Sequence, residues 1–171
     1  MTTTFTLNDG TRIPWLAFGT GTALFSRDSK HLISLAIANG ITHIDGAQAY
    51  RNEESMGEGI RASGKPRSEL YVVTKLKNEG KSVRQSLEGS LKRLGLDHVD
   101  LYLVHTPLEY QGRLKQVWAE MEEVQKAGLT TSIGVSNFGV KDLGEILAEG
   151  SVVPAVNQAR SLVTNRKIKL R

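Results

Sequence analysis

The first fifteen residues of the chain show a different pattern from the residues that follow them. Residues 4–7 and 12–15 are short β-prone runs, and they flank Asn8, Asp9 and Gly10. An Asn-Asp-Gly sequence between two such runs is a strong signal for a tight turn. The pattern therefore predicts an N-terminal β-hairpin.

After the hairpin, short apolar runs alternate with longer amphipathic stretches, which predicts about six strands and five helices. Glycines follow four of the helical stretches, where a left-handed helix end favours this residue (Gly40, Gly95, Gly128 and Gly150). Between residues 82 and 94, apolar side chains recur at helical spacing and form one stripe (Val83, Leu87, Leu91 and Leu94). The predicted strands occupy residues 16–18, 42–44, 70–74, 99–104, 131–135 and 152–156, and the predicted helices 29–38, 53–61, 82–94, 114–127 and 140–147.

The strict alternation of strand and helix indicates an α/β fold. Strands that are almost continuously apolar are typical of a parallel sheet covered by helices on its faces. Two architectures satisfy this pattern, a βα barrel and a doubly wound sheet, and the pattern alone does not choose between them. No linker, repeat or low-complexity segment suggests a second domain.

The composition indicates the number of domains, the absence of a metal site and the cellular location that we expect. With 171 residues, 39% of them hydrophobic, the chain can bury the core of one globular domain. It has no cysteine, and its four histidines lack the spacing of metal ligands, so we expect no metal site. No apolar run reaches the roughly 18 residues of a membrane helix, and the N-terminus lacks the features of a secretion signal. A cytoplasmic location is the default expectation.

The positive charge of the chain comes from its C-terminal end. The formal net charge is +4, but residues 159–171 hold five basic residues and no acidic ones. Without this segment, 17 basic residues face 18 acidic ones. The segment has no aromatic residue to stack on bases, so we expect a solvated basic tail and no specific nucleic-acid binding.

Four chemically distinct side chains lie at or just after the ends of predicted strands: Asp45, Tyr50, Lys75 and His105. Active sites of βα barrels and open parallel sheets form where the strands end. Each residue alone has an ordinary structural explanation, such as a helix cap or a solvated amine. Together, a carboxylate, a phenol, an amine and an imidazole form a plausible proton-transfer cluster.

The chemistry of such a cluster is specific. A phenol is a poor acid at neutral pH, but a nearby ammonium group stabilises the phenolate. We expect Lys75 to do this for Tyr50, and Asp45 to hold the amine protonated and in place. His105 would then share a hydrogen bond with a substrate carbonyl oxygen.

Five motifs, in this order, resemble those of the aldo-keto reductase family, over about residues 5–158. The resemblance implies an incomplete (β/α)8 TIM barrel that the N-terminal hairpin closes at its base. It also implies an NADP-dependent oxidoreductase that reduces a small-molecule aldehyde or ketone, with Tyr50 as proton donor, Asp45 and Lys75 as its partners, and His105 orienting the substrate. The motifs are Phe18-Gly19-Thr20-Gly21-Thr22, His43-Ile44-Asp45-Gly46-Ala47-Gln48-Ala49-Tyr50, Val73-Thr74-Lys75, Leu103-Val104-His105-Thr106-Pro107 and Ile133-Gly134-Val135-Ser136-Asn137-Phe138.

The same resemblance implies where the cofactor, NADPH, would bind. Without it, Ser136-Asn137 is better explained as a helix N-cap. No Gly-x-Gly-x-x-Gly sequence opens a helix after a strand, which disfavours a Rossmann site. The implied residues are Ser136, Asn137 and Gln158 for the nicotinamide carboxamide, and Gly19, Thr20 and Asp45 near the nicotinamide ribose.

The sequence departs from the family in two places. Gly46 stands where many members have threonine, and we expect a looser loop there. After Gln158 the family pattern is lost, so we expect a truncated member: a partial barrel over residues 1–158 and a basic tail over 159–171. Six strands cannot close an eight-stranded barrel, and the unpaired edges would favour marginal stability or self-association.

Three interpretations therefore remain open. The first is an active carbonyl reductase, and the second is a catalytically inactive truncated relative that acts as a binding or interaction protein. The third is a dimer in which a second copy covers the open edges. The sequence does not name the substrate, because variable loops shape the substrate pocket in this family.

Overall fold

The computed structural model describes residues 3–147 and 152–159. The chain begins with the predicted hairpin, in which β1 (Thr4–Thr6) pairs antiparallel with β2 (Arg12–Pro14). At the turn, Gly10 has a φ of +83°, a left-handed conformation that costs glycine little. The prediction of an N-terminal hairpin is confirmed.

Within the described residues, six parallel strands and five α-helices follow in strict alternation, as predicted. The strands lie in one sheet in the order of the sequence, from β3 to β8. A doubly wound sheet would reverse this order at a switch point, so the sequential order indicates a barrel. The elements are β3 (Ala17–Gly19), α1 (Lys30–Ala38), β4 (His43–Asp45), α2 (Glu53–Ala62), β5 (Tyr71–Leu76), α3 (Val83–Leu94), β6 (Val99–Val104), α4 (Leu114–Lys126), β7 (Thr130–Ser136), α5 (Val140–Ile146) and β8 (Asn157–Gln158).

The last strand lies later in the sequence than predicted. The apolar run 152–156 indicated a strand, but β8 comprises Asn157–Gln158. Pro154 has no N–H to donate, and Val153 is 56% exposed, so the first part of this run neither pairs with a strand nor lies in the core. Pairing with β7 starts at Ala155, whose N–H donates to the Ile133 carbonyl oxygen at 2.9 Å.

Alternating side chains along each strand divide the interior into two regions. Outward side chains such as Val72 and Tyr102 pack against the helices in the main hydrophobic core. Inward side chains such as Val73 and Leu103 form a smaller cluster inside the curved sheet. This period of two places every second residue of neighbouring strands on the same interior surface.

The sheet is strongly curled. Neighbouring strands lie about 4.8 Å apart, so β4 and β8, four positions apart, would be roughly 19 Å apart in a flat sheet. Yet Gln158 Nε2 lies 3.1 Å from Asp45 Oδ2. The curvature therefore brings the ends of distant strands around one opening.

The hairpin packs at the opposite end of the sheet from this opening. Ser132, near the start of β7, donates to Asp9 Oδ2 at 2.6 Å. His43, at the start of β4, contacts the Pro14 carbonyl oxygen through Nδ1 at 3.0 Å. The hairpin thus covers the N-terminal ends of the strands and leaves their C-terminal ends free.

The described ranges contain no helix long and apolar enough to cross a membrane. Within the same ranges, no group of three or more His, Cys, Asp or Glu side chains could hold a metal ion. Gly150 and residues 160–171, which make up nearly all of the predicted basic tail, lie outside the described residues.

Candidate active site

A polar cleft of about 620 Å³ opens at the C-terminal ends of the strands. This is the end of the fold at which βα barrels carry their active sites. Five strands or the residues directly after them contribute to its walls. The lining residues are Gly19, Gly21, Thr22, Asp45, Tyr50, His105, Ser136, Asn137, Gln158 and Ala159.

A buried ion pair lies beneath the floor of the cleft. Lys75, on the inward face of β5, is 1% exposed, and its ammonium group contacts Asp45 Oδ1 at the end of β4. Lys75 Nζ also donates to the Gly46 carbonyl oxygen at 2.9 Å. A buried charge is tolerated when a counter-charge and further hydrogen bonds satisfy it. The pair therefore fixes the position of the Lys75 ammonium group just below the cleft.

Gly46 has a close neighbour in Met56. A Cβ atom at Gly46 would lie 2.5 Å from Met56 Sδ, and Met56 is fully buried. The space that a larger residue would need in this loop is thus occupied by a side chain of α2.

The phenol of Tyr50 faces this charge. Tyr50 lies in a one-turn helix, Gln48–Tyr50, and its hydroxyl oxygen is 3.5 Å from Lys75 Nζ. The same nitrogen lies 5.0 Å from the centre of the Tyr50 ring. Gly21 allows the ring to approach, because a Cβ atom at that position would lie 3.0 Å from Tyr50 Cζ. A phenolic proton donor and a cation that stabilises its conjugate base are therefore neighbours.

His105 stands beside Tyr50 on the wall of the cleft. The two rings meet edge to face, with their centres 5.5 Å apart. Partial burial, and then the charge of Lys75, lower the pKa of His105 below its ordinary value of 6.5. At neutral pH the imidazole is therefore uncharged, with one N–H to donate and one nitrogen to accept.

Three polar side chains form another part of the wall, at the ends of β7 and β8. Ser136 Oγ donates to the Gln158 carbonyl oxygen at 2.8 Å, and Asn137 Nδ2 donates to the His105 carbonyl oxygen at 3.0 Å. Asn137 has a φ of +61°, a left-handed conformation that asparagine tolerates better than most residues. These bonds tie β6, β7 and β8 together at the cleft.

Within the described residues, two of the oxygen atoms in this wall are free to accept further hydrogen bonds. Neither Asn137 Oδ1 nor Gln158 Oε1 receives a hydrogen bond from the described part of the chain. A primary carboxamide such as that of nicotinamide offers two N–H groups and one carbonyl oxygen. The two free acceptor oxygens of this wall therefore fit the two N–H groups of a carboxamide.

Thr20 is placed differently from the other predicted cofactor residues. It is fully buried, and its hydroxyl group donates inward to the Asp45 carbonyl oxygen at 3.2 Å. Its neighbours Gly21 and Thr22 line the cleft instead. Thr22 has a φ of +43°, an uncommon value for a β-branched residue that is found mainly at functional sites. The sequence indicated that the run Gly19-Thr20-Gly21-Thr22 belongs to the site. It did not indicate which of these residues line the cleft and which point into the protein.

The arrangement can supply a proton, stabilise the anion left behind and orient a polar group between Tyr50 and His105. The residues predicted from the sequence as catalytic lie together at one end of the sheet, with Lys75 below the cleft and the other three on its walls. Of the residues predicted to bind cofactor, all but Thr20 line the same cleft.

Comparison with known proteins gives a consistent result. Residues 15–169 match the model of the Aldo/keto reductase family. The NAD/NADP-dependent indole-3-acetaldehyde reductase of Schizosaccharomyces pombe is 36% identical over 159 residues, which are 87% of this chain and 56% of that protein. The glyoxal reductase of Bacillus subtilis is 39% identical over 158 residues, which are 91% of this chain and 56% of that protein.

A solved structure extends the likeness to three dimensions. The crystal structure of a Bombyx mori aldo-keto reductase in complex with NADP superposes with a TM-score of 0.82 at 37% identity. The alignment covers 93% of this chain and 58% of that one. The prediction of an incomplete (β/α)8 barrel with an N-terminal hairpin is confirmed. The chain spans a little over half the length of the curated relatives that it matches.

Proposed function

Because this chain belongs to the aldo/keto reductase family, we propose that it reduces the carbonyl group of an aldehyde or ketone to an alcohol. NADPH is the proposed cofactor, and Tyr50 the proposed proton donor. When bound, this cofactor would supply a hydride for the carbonyl carbon and would itself be oxidised to NADP⁺. The carbonyl oxygen takes the proton, so that one hydride and one proton are added to each substrate molecule.

The polar wall at β7 and β8 is the proposed binding surface for the nicotinamide. Asn137 and Gln158 offer acceptor oxygens, and Ser136 Oγ lies 2.9 Å from Asn137 Nδ2, which holds that amide in place. Gly19 and Asp45 line the cleft beside this wall and are placed to approach the ribose. NADPH is proposed over NADH by family resemblance, and the S. pombe relative is named for both cofactors.

Tyr50 carries the proton in this proposal. Its hydroxyl group would donate to the carbonyl oxygen as negative charge develops there. The ammonium group of Lys75, 3.5 Å from that hydroxyl oxygen, stabilises the resulting phenolate. Asp45 balances the charge of Lys75, which is almost completely buried. This buried cation beside the phenol is the observation that carries the proposal.

His105 orients the substrate in this mechanism. Since burial lowers its pKa, the imidazole is neutral and can donate one hydrogen bond to the same carbonyl oxygen. A charged imidazolium would be a stronger acid than the phenol and could itself protonate the carbonyl oxygen. The neutral form therefore leaves proton transfer to the phenol.

The test is NADPH oxidation, followed by its absorbance, with a reactive aldehyde as substrate. Tyr50→Phe removes only the hydroxyl group, and we expect kcat to fall by roughly 10² to 10⁴-fold. Tyr71→Phe is the matched control, because Tyr71 lies on the inner face at the start of β5 and its hydroxyl has no hydrogen-bond partner among the described residues. Equal rates for the parent and Tyr50→Phe would remove Tyr50 from the proposed role.

Cofactor binding separates this proposal from the alternative of an inactive relative. We expect NADPH to quench tryptophan fluorescence in the parent chain and equally in Tyr50→Phe. If no quenching occurs at millimolar NADPH, the chain does not act as a reductase, and a non-catalytic binding role is favoured.

A further inference from the structure

The turn that carries Tyr50 is too short to hold its own shape. It has two backbone hydrogen bonds, from Tyr50 N to the Ala47 oxygen at 3.0 Å and from Arg51 N to the Gln48 oxygen at 3.2 Å. Single 3₁₀ turns have poor hydrogen-bond geometry and little cooperative stability. Arg51, directly after Tyr50, has a φ of +55°, an unfavourable conformation for this residue type. Contacts from outside the turn must therefore fix the direction of the phenol.

The side chain of Gln48 makes such contacts on one side of the turn. Gln48 is 8% exposed, and its amide nitrogen donates to the Ser86 carbonyl oxygen at 2.8 Å and to Ser90 Oγ at 2.9 Å, both in α3. Its amide oxygen accepts from the Lys77 N–H at 2.7 Å. Two buried hydrogen bonds thus join the first residue of the turn to a neighbouring helix, and a third, partly buried, joins it to the chain that leaves β5.

The contact with Lys77 connects the turn to the strand that carries Lys75. Lys77 follows Lys75 by two residues on the same strand exit. A rigid link from Gln48 to Lys77 therefore fixes the turn that carries the phenol relative to the strand that carries the ammonium group. Asn52 holds the other side of the turn, since its amide nitrogen donates to the Thr20 and Leu24 carbonyl oxygens, each at 2.8 Å.

The link continues into a second buried group. Ser90 Oγ, which accepts from Gln48, donates to Glu53 Oε2 at 3.3 Å, and Thr74 Oγ1 donates to Glu53 Oε1 at 2.6 Å. Arg93 forms an ion pair with Glu53 at 2.7 Å. Thr74 is the residue before Lys75, so the network holds β5 at both sides of the lysine.

We propose that Gln48 is a positioning residue for Tyr50, a role that rests on the proposed function of Tyr50 as proton donor. Gln48 does not line the cleft and touches no reacting atom. It acts by holding the phenol at its distance from Lys75 and at its angle to the cleft. Enzymes are sensitive to such placement, and a shift of about 1 Å can change a rate by roughly a hundredfold.

The variant Gln48→Met tests this role, because methionine has a similar length and makes none of the three hydrogen bonds. We expect kcat to fall by roughly tenfold to a hundredfold. We expect the KM of the aldehyde and the Kd of NADPH to change by less than about threefold, since Gln48 contacts neither binding surface. The matched control is Gln125→Met. Gln125 lies on α4, and the substitution removes its hydrogen bond of 3.0 Å to the Thr131 carbonyl oxygen.

A spectroscopic measurement makes the test independent of turnover. The chain has four tyrosines, so ¹³C labelling at Cζ gives four resonances, and Tyr50→Phe assigns the one from Tyr50. Gln48→Met should shift the Tyr50 resonance and leave that of Tyr71, inside the sheet, in place. Gln125→Met should shift neither.

The outcomes separate the two proposals. A folded Gln48→Met with an unchanged Tyr50 resonance and unchanged kcat would overturn the positioning role. If the parent chain shows no reductase activity, the proposed function fails, and the resonance alone decides the role of Gln48. If Gln48→Met does not fold, Ser90→Ala takes its place, because it removes one of the three bonds; it should shift the Tyr50 resonance by a smaller amount, and no shift would count against the proposal.

Discussion

The ion pair of Lys75 and Asp45 allows a quantitative test of the site's construction. Lys75 is 1% exposed and Asp45 14% exposed, so neither charge is well hydrated in the folded chain. Lys75→Met leaves the carboxylate with Gln158 Nε2 as a neighbour at 3.1 Å. Asp45→Asn leaves the ammonium group buried without a counter-charge. Breaking a buried ion pair on one side costs about 3 to 5 kcal/mol of the free energy of unfolding.

The two single variants should differ in a predictable direction. Asp45→Asn should be the more destabilising, because its uncompensated charge is the fully buried one. The double variant Lys75→Met/Asp45→Asn leaves no uncompensated charge at this place. We therefore expect it to be less destabilised than the sum of the single variants, by about 2 kcal/mol or more.

Urea unfolding followed by tryptophan fluorescence provides the measurement. Trp118, on α4, is 2% exposed and lies in the main hydrophobic core, so its fluorescence emission reports the loss of core packing. The free energies of unfolding of the four chains form a double-mutant cycle. Additivity of the single effects within about 0.5 kcal/mol would refute the claim that the two charges stabilise each other.

Further predictions concern packing and pH. Gly46→Ala should destabilise the chain by only about 1 to 2 kcal/mol, because the Met56 side chain can move away from the new Cβ atom. Replacing Met56 with a smaller residue should reduce this cost. Gly134→Ala should cost more, about 2 to 3 kcal/mol, because its Cβ atom would lie 2.6 Å from a backbone carbonyl oxygen. Equal losses in the free energy of unfolding for the two variants, measured from folding and unfolding rates, would contradict this. Burial lowers the pKa of His43 and of His105 below 6.5, so the unfolded chain binds protons first on acidification. The free energy of unfolding should thus be greatest above pH 6.5 and fall below it, as thermal melts at pH 7.5 and 5.5 would measure, and His43→Gln should make the fall smaller.

The regular elements were predictable because their signals are local. The stripe that includes Leu87 and Leu91 gave α3, and both residues are buried in the main core. Gly95, predicted to end that helix, adopts a φ of +67° at its C-terminus. Such signals depend on residues a few positions apart, which is the range over which helix and strand periods act.

Predictions that depended on long-range pairing were less accurate. The apolar run 152–156 resembled a buried strand, but hydrogen bonding to β7 places β8 at Asn157–Gln158. The side chain of Thr20, in the glycine-rich run near the site, points into the protein and donates to the Asp45 carbonyl oxygen, and its role near the nicotinamide ribose stays a prediction. In both cases a neighbouring strand, distant in sequence, decides the outcome.

The sequence by itself determined the order and type of the elements and the identity of the acid, amine, phenol and imidazole, because these follow from local periodicity and from residue chemistry. The tertiary structure alone decided which of them meet. Curling of the sheet brings Gln158 to Asp45, and a hydrogen bond from the Lys77 N–H to Gln48 links the Tyr50 turn to the end of the strand that carries Lys75. These contacts join residues from 29 to 113 positions apart, and no period along the chain extends that far.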